Sequence, residues 1–550
     1  MQRHEPRIAS ISSTKNRAKK GIEMKTLNVV LAVMTCRLLL SHVLSAEEPA
    51  VIKPQKPDKV VKPLAAEDLA DRAAALQANG QFAIDLYLKL AQTDHGNNVF
   101  VSPFSISIAL TMATEGAVDQ TLQQMTDVLH IPAGDLARIH RGQGHLRSGV
   151  MPFVSSEVAE KIARLREELK SVNARTAVLN KSNKFDEAQT SSEKGRQLAN
   201  ELNSLVRQTS AYELQIANAL WLEKSYPIQP GFISTLKPSY GTVAFPVDFK
   251  SHPEPARTEI NEWVSRHTND RIRDLLSSGD ITDLTRLVIT NAVFFKGDWA
   301  EPFKPSATQP EPFQQSASQT IKLPMMHQWN STTASYGAFG SSGEFFPTPT
   351  EVNVDLKDDD PSLYPDAGGH TMLALDYQGS KLEMILIVPQ SVEGLTELER
   401  SLKYETLQQW IHSLKRRTVN LSLPKYKLEA KYQLRETLQS LGMVRAFEDP
   451  AKTPEAAQFD KLSTSEKFDD RLYITNVLHK TYVDVSEVGT EAAAATAVMF
   501  AAPTSAALSE RPKTRPFVPI FKANKPFLFL IRDRETESIL FIGRYVGQKV

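Results

Sequence analysis

Apolar residues along the chain follow two rhythms. From near residue 69 to about residue 91 they recur at helical spacing (Leu76, Phe82, Ile84, Leu86, Leu88, Leu90), which predicts a long helix. Farther on, short apolar runs at 285–295, 381–389, 419–424, 472–485 and 526–531 read as strands. The two kinds of stretch alternate to the C-terminus, so the pattern predicts a mixed α+β chain.

Two stretches read as insertions into that pattern. In the first, about 139–210, Val158, Ile162, Leu165, Leu169 and Val172 fall at steps of three and four and mark one helical stripe. Leu198, Leu202 and Leu205 mark a second, and the polar 183–190 reads as the turn between them. This predicts a helical hairpin or a disordered arm. The basic run just ahead, with Arg138, Arg141 and Arg147, is a weak candidate for a sulfated-glycan contact, since such runs are usually solvated faces. The second insertion, about 340–369, is rich in Pro, Gly and acid (Asp358, Asp359, Asp360) and predicts an exposed loop.

The amino end carries an address. Residues 24–46 have a basic start at Lys25, an apolar centre and a small residue at Ala46, the layout of a secretory signal peptide. Arg37 and His42 interrupt the run, which argues against a membrane span. Residues 1–23 are a basic extension, so either Met24 is the working start or the signal has a long basic region. A Pro/Lys-rich linker covers 47–68, and 69–550 is expected to be one folded domain. The expected location is extracellular.

Composition narrows the chemistry. The 550 residues carry 64 basic and 64 acidic side chains, so no global charge favours a nucleic-acid partner. The single cysteine, Cys36, lies inside the signal segment, which excludes a disulfide framework or a four-Cys zinc site. GxSxG, HExxH, Walker A and GxGxxG motifs are all missing from the sequence, and its histidines form no ligand-spaced cluster. The expectation is a protein without metal, cofactor or catalytic centre of its own.

Eight segments in order carry a resemblance. They are 98–117 (NVFVSPFSISIALTMATEGA from Asn98), 218–232, 260–276, 287–303, 382–389 (LEMILIVP), 421–430, 479–497 (HKTYVDVSEVGTEAAAATA) and 524–544 (NKPFLFLIRDRETESILFIGR). Together they resemble the serpin family over about residues 71–548, minus the two insertions. The resemblance implies a fold of three β-sheets, about nine helices and an exposed reactive loop near the C-terminus, here about 487–516. It also implies a mechanism. The loop is bait for a serine protease, and once cut its amino-terminal part inserts as a middle strand of the largest sheet, dragging the acyl-linked protease along. Such a protein is a single-use substrate, not an enzyme, and is expected to be monomeric.

The loop itself begins EVGTEAAAATAVMFAA at Glu487. Taken alone the alanines would suit a helix, with Thr490 as a cap. As a strand, alternation puts Thr490, Ala492, Ala494, Thr496, Val498 and Phe500 on one face. Glu491, Ala493, Ala495, Ala497 and Met499 then take the other, expected to be the solvent face. Gly489 supplies freedom at the hinge. The resemblance further assigns Ser102, Ser105, Asn291 and His479 to a polar cluster where strands part, and Trp299 to the sheet's upper opening.

The scissile bond is the least determined feature. Sixteen positions after Glu487 stands Pro503, followed by Thr504; Ala501 and Ala502 are neighbouring alternatives. Counting back from NKPF lands near Arg511, Lys513 or Arg515, because the loop is about nine to twelve residues longer than the family's usual length. Arg511 and Arg515 precede prolines, which hinders trypsin-like cleavage, and Lys513 does not. Cleavage at Lys513 would leave about ten extra residues, at ~3.3 Å each, between hinge and protease. The window 500–505 is therefore favoured, with an elastase-like or chymotrypsin-like target. Sequons at Asn180, Asn330 and Asn420 fit secretion, Asn180 being the most exposed by context. The alternative function, from a different class, is a non-inhibitory serpin that binds or carries a ligand.

Overall fold

The computed structural model describes residues 64–547 except 95, 152–155, 183, 210–211, 242–243, 464–470 and 491–512. The signal segment, the linker up to residue 63, Ala492–Ala495 and the candidate bond at 501–504 therefore lie outside the described residues, while the linker's expected last residues, 66–68, already open the helix Ala66–Thr93. From Leu64 onward the chain is one compact unit.

Seventeen strands are numbered in chain order: β1 Val99–Val101, β2 Tyr212–Glu223, β3 Ala244–Val247, β4 Leu287–Asp298, β5 Gln309–Gln314 and β6 Thr320–Phe339. Then follow β7 Glu351–Asn353, β8 His370–Asp376, β9 Leu382–Pro389, β10 Lys415–Pro424, β11 Tyr426–Gln433 and β12 Ile474–Val485. The last are β13 Gly489–Thr490, β14 Thr514–Pro516, β15 Ile520–Lys522, β16 Phe527–Asp533 and β17 Ile539–Tyr545. They form a nine-stranded sheet, a six-stranded sheet in the order β11-β12-β13-β4-β2-β3, and a two-stranded pair of β14 with β7.

The six-stranded sheet is covered on both faces, which is why β4 reads as one continuous apolar run. Its inner face packs on the wholly buried helix Pro103–Thr114 and the main core. Its outer face is crossed by the helix Pro253–His267, whose Ala256, Ile260 and Val264 cluster with Val288, Ala292, Phe294 and Leu478. The chain that follows straps over the same face. Asp280 accepts from Gln433 at 3.0 Å, Ser277 from Lys431 at 2.8 Å, and Arg273 O from Lys480 at 3.1 Å.

The described residues contain eleven α-helices, two more than the expected nine, and the hairpin Ser156–Lys181 and Phe185–Thr209 accounts for the difference. Leu165, Val172 and Leu198 close it, with Leu169, Leu202 and Leu205 packed beside them. Its turn is shorter than expected, since 185–190 already belongs to the second helix. The insertion also begins later than the sequence suggested. Residues 139–150 lie in the helix Leu136–Val150, whose Ile139, Leu146 and Val150 are fully buried. In the basic run Arg138 and Arg141 both bind the buried Asp71, at 3.2 and 2.7 Å, while their own side chains stay partly exposed. The second insertion is not a free loop either. It contains β7, and its Val352 and Leu363 bury themselves against Phe517.

Candidate functional site

The upper end of the six-stranded sheet holds the start of the reactive loop. After β12 the chain turns at Ser486, whose N–H and Oγ both donate to Gly489 O at 2.9 Å. It then enters the sheet as the two-residue β13, between β12 and β4: Thr490 pairs with Val485 on one side and Gly297 on the other, and Gly489 pairs with Asp298. Below this wedge β12 and β4 are bonded directly to each other, in parallel, from Ile474↔Leu287 to Tyr482↔Phe294. Glycine at 489 has a steric reason. A Cβ there would lie 2.2 Å from Gly297 O and 2.4 Å from the Asp298 Cα, so no side chain fits.

Side chains fasten the wedge at its root. Trp299, nearly buried, stacks on Tyr377 at 4.7 Å and donates from Nε1 to Ser486 O at 2.9 Å. Its backbone N–H donates to Val488 O at 2.8 Å, and that of Phe303 to Glu487 O at 2.7 Å. Glu487 accepts from Lys425 Nζ at 2.9 Å and Thr308 Oγ1 at 3.0 Å. Burial alone would raise the Glu487 carboxyl, but these hydrogen bonds outweigh it and hold the group below the usual carboxylate range.

Lower down, the four polar residues singled out from the sequence meet across the β12–β4 seam. The Ser102 N–H donates to His479 Nε2 at 3.0 Å, so Nε2 is the unprotonated nitrogen and Nδ1–H donates to Asn291 Oδ1. Asn291 Nδ2 in turn donates to Ser105 Oγ and to Asn218 Oδ1, each at 2.6 Å. Asn218 was not anticipated. It lies on β2 opposite Asn291 and completes the network, donating from Nδ2 to Ser105 O at 3.1 Å. Its only sequence signal was its place at the head of the matching segment 218–232. Complete burial drives the His479 pKa down to about 3, so the imidazole is neutral. Asn291 and His479 are register partners, so their bond ties together the two strands that would have to part.

The register also corrects the assignment of faces. An antiparallel strand continuing from Thr490↔Gly297 would bring 492, 494, 496, 498 and 500 opposite Phe295, Val293, Asn291, Ile289 and Leu287. All five are on the inner, core side, as expected. Residues 493, 495, 497 and 499 would fall opposite Phe294, Ala292, Thr290 and Val288. That side is not solvent: Phe294, Ala292 and Val288 lie under the helix Pro253–His267. Only Glu491, opposite the part-exposed Lys296, would remain near water.

Of the other candidate residues, Lys513 is exposed but its carbonyl accepts from Val354 N at 3.2 Å. Asn180 is exposed on the hairpin. Asn420 is buried in β10, 8% exposed, and poorly placed to accept a glycan, while the Asn330 side chain lies outside the described residues.

Comparison with known proteins places this geometry. Residues 77–164 and 166–547 match a family model described as Serpin (serine protease inhibitor). Human Serpin B4 is 32% identical over 85% of the chain and 98% of its own length. The leukocyte elastase inhibitor of Xenopus tropicalis is 32% identical, covering 84% and 97%. An uncharacterized serpin-like protein of Thermococcus kodakarensis is 35% identical, covering 86% of each chain. Among solved structures, uncleaved ovalbumin superposes with a TM-score of 0.60 at 22% identity, covering 86% of this chain and 99% of its own. Thyroxine-binding globulin complexed with thyroxine gives 0.59 at 25%, with the same coverage.

Proposed function

The chain belongs to the serpin family, and on that footing we propose that it is a secreted inhibitor that traps a serine protease by inserting its cleaved loop into the six-stranded sheet. The observation that carries this reading is the wedge. Gly489 and Thr490 already occupy the first two places of a new strand, and the register offers ten more levels down to Leu287. Small residues at 493, 495 and 497 suit a slot roofed by the helix Pro253–His267, and no charge of the loop would be buried. Thr496 would arrive between Asn291 and His479, bringing a hydroxyl where their hydrogen bond is broken. The strand of about twelve residues spans roughly 40 Å, the scale over which an acyl-linked protease would be carried.

Secretion rests on the signal layout of 24–46 and on the exposed sequon at Asn180. The named inhibitor of elastase among the relatives agrees with an elastase-like or chymotrypsin-like target for the window 500–505. The test is incubation of the secreted protein with a panel of serine proteases. The proposal expects a complex that survives SDS and a released C-terminal peptide whose mass locates the cut. Clean cleavage with no stable complex by any protease would instead indicate a serpin that binds or carries.

A further inference from the structure

The far end of the reactive loop is held as firmly as the near end is wedged. β14 (Thr514–Pro516) pairs antiparallel with β7 (Glu351–Asn353), inside the second insertion. Backbone bonds extend the pair at both ends, from Val354 N to Lys513 O at 3.2 Å and from Phe517 N to Thr350 O at 2.9 Å. The Arg515 guanidinium reaches Asp358 Oδ1 at 2.7 Å and Leu356 O at 2.6 Å. Phe517, 3% exposed, closes a small apolar cluster with Val352 and Leu363. The chain then runs into β15, which joins the nine-stranded sheet beside β10. Two of the departures from the family pattern, the loop 340–369 and the lengthened distal stem, are thus in contact with each other.

We propose that the loop 340–369 is a clamp that sets the C-terminal limit of the bait, withdrawing Lys513 and Arg515 from proteases, with Asp358 and Val352 as its positioning residues. A protease takes its substrate as an extended strand, through the backbone N–H and C=O groups around the scissile bond. Along 513–517 the alternate residues that face 350–354 are already committed, Lys513 O to Val354 N, Arg515 opposite Val352 and Phe517 N to Thr350 O. The carbonyl that would be attacked in cutting after Lys513 is the one bonded to Val354. Releasing it means opening the β14–β7 pair and the Arg515–Asp358 ion pair together. Arg515 is doubly protected, since Pro516 follows it. The clamp removes the basic sites that a trypsin-like enzyme would prefer and leaves attack to residues nearer the hinge.

The proposal rests on reading 487–516 as bait, but its test does not require inhibition. The full secreted chain is exposed to trypsin as a probe, and mass spectrometry follows the fragment that begins at Thr514. The wild type should yield this fragment at least ~10-fold more slowly than Asp358→Ala, because cleavage then waits on local opening. Asp358→Glu should restore protection, and the melting midpoint of the whole protein should stay the same in both. If Asp358→Ala folds poorly, Arg515→Gln removes the same ion pair and should expose the bond equally. Wild-type cleavage after Lys513 as fast as in a free peptide of the same sequence would overturn the clamp. So would identical rates in wild type and folded variants. Loss of protease trapping with Lys513 still protected would count against the inhibitory reading alone.

Discussion

The two ends of the reactive loop are anchored in opposite ways. At the near end only two residues enter the sheet, and the strands beneath them are joined by backbone bonds that a further strand would replace in kind. At the far end a β-pair, an ion pair and a buried phenylalanine hold five successive residues against an insertion of their own. Under the proposed insertion the backbone bonds lost between β4 and β12 at the near end would each have a successor; the far end has none to offer. On that proposal, what would set mobility is what the bonds can be exchanged for, not how many there are.

The contrast is broken most severely by filling the slot that the near end would use. Thr490→Arg sets a cation at the level that pairs with Val485 and Gly297, and on insertion Ala495→Arg would set one at the level of Ala292, which is buried in a cluster with the helix Pro253–His267. Burying either cation unpaired costs at least several kcal/mol. Both variants should be cut as substrates with almost no stable complex, as read by SDS gels. Glu491→Arg, opposite the part-exposed Lys296, should keep most of the inhibition. Full trapping by Ala495→Arg would return the outer face to solvent.

A second break targets the seam. Asn291→Ala removes the partner of His479, Ser105 and Asn218 at once and leaves buried polar groups unsatisfied, at ~1–3 kcal/mol each. The uncut protein should melt well below wild type.

The seam also predicts a pH dependence. His479 is neutral in the fold, with a pKa near 3, whereas the unfolded side chain titrates near 6.5. Above that value neither state binds the proton. As pH falls from about 6.5 toward 3, only the unfolded state gains it, so stability declines across that window. Denaturant midpoints at pH 7.5 and 5 should show the decline, and His479→Gln should flatten it. A midpoint that rises on acidification would refute the assigned tautomer and environment.

The smallest effect is expected at the root of the hinge. Lys425 is substantially exposed, so Lys425→Ala should cost under ~1 kcal/mol despite freeing Glu487. A larger loss in a melting curve would mean that the root, not the seam, holds the strands together.

Sequence alone made much of the moving end readable. The glycine at 489 and the polar set at 102, 105, 291 and 479 are local features or motif positions, and the structure brings Gly489, Asn291 and His479 into one sheet with Ser102 and Ser105 at the start of the helix beneath it. What escaped was long-range. Nothing in the alanine run shows that a helix some two hundred residues earlier covers its outer row, so that row read as solvent. Asn218 looked ordinary until β2 set it opposite Asn291. The shared partner of Arg138 and Arg141 stayed hidden because the buried Asp71 lies on a different helix. The loop 340–369 looked exposed from its Pro, Gly and Asp content, since its apolar residues find their partner only at Phe517.

The central claim is that the cut loop becomes a strand between β4 and β12, and heat tests it most directly. The protein should be melted before and after a single cut in the loop, with the C-terminal fragment left in place by the distal clamp. A completed sheet exchanges the direct β4–β12 pairing for two new ladders, so the midpoint should rise sharply on cleavage. An unchanged midpoint would mean that no strand was added and would contradict the account.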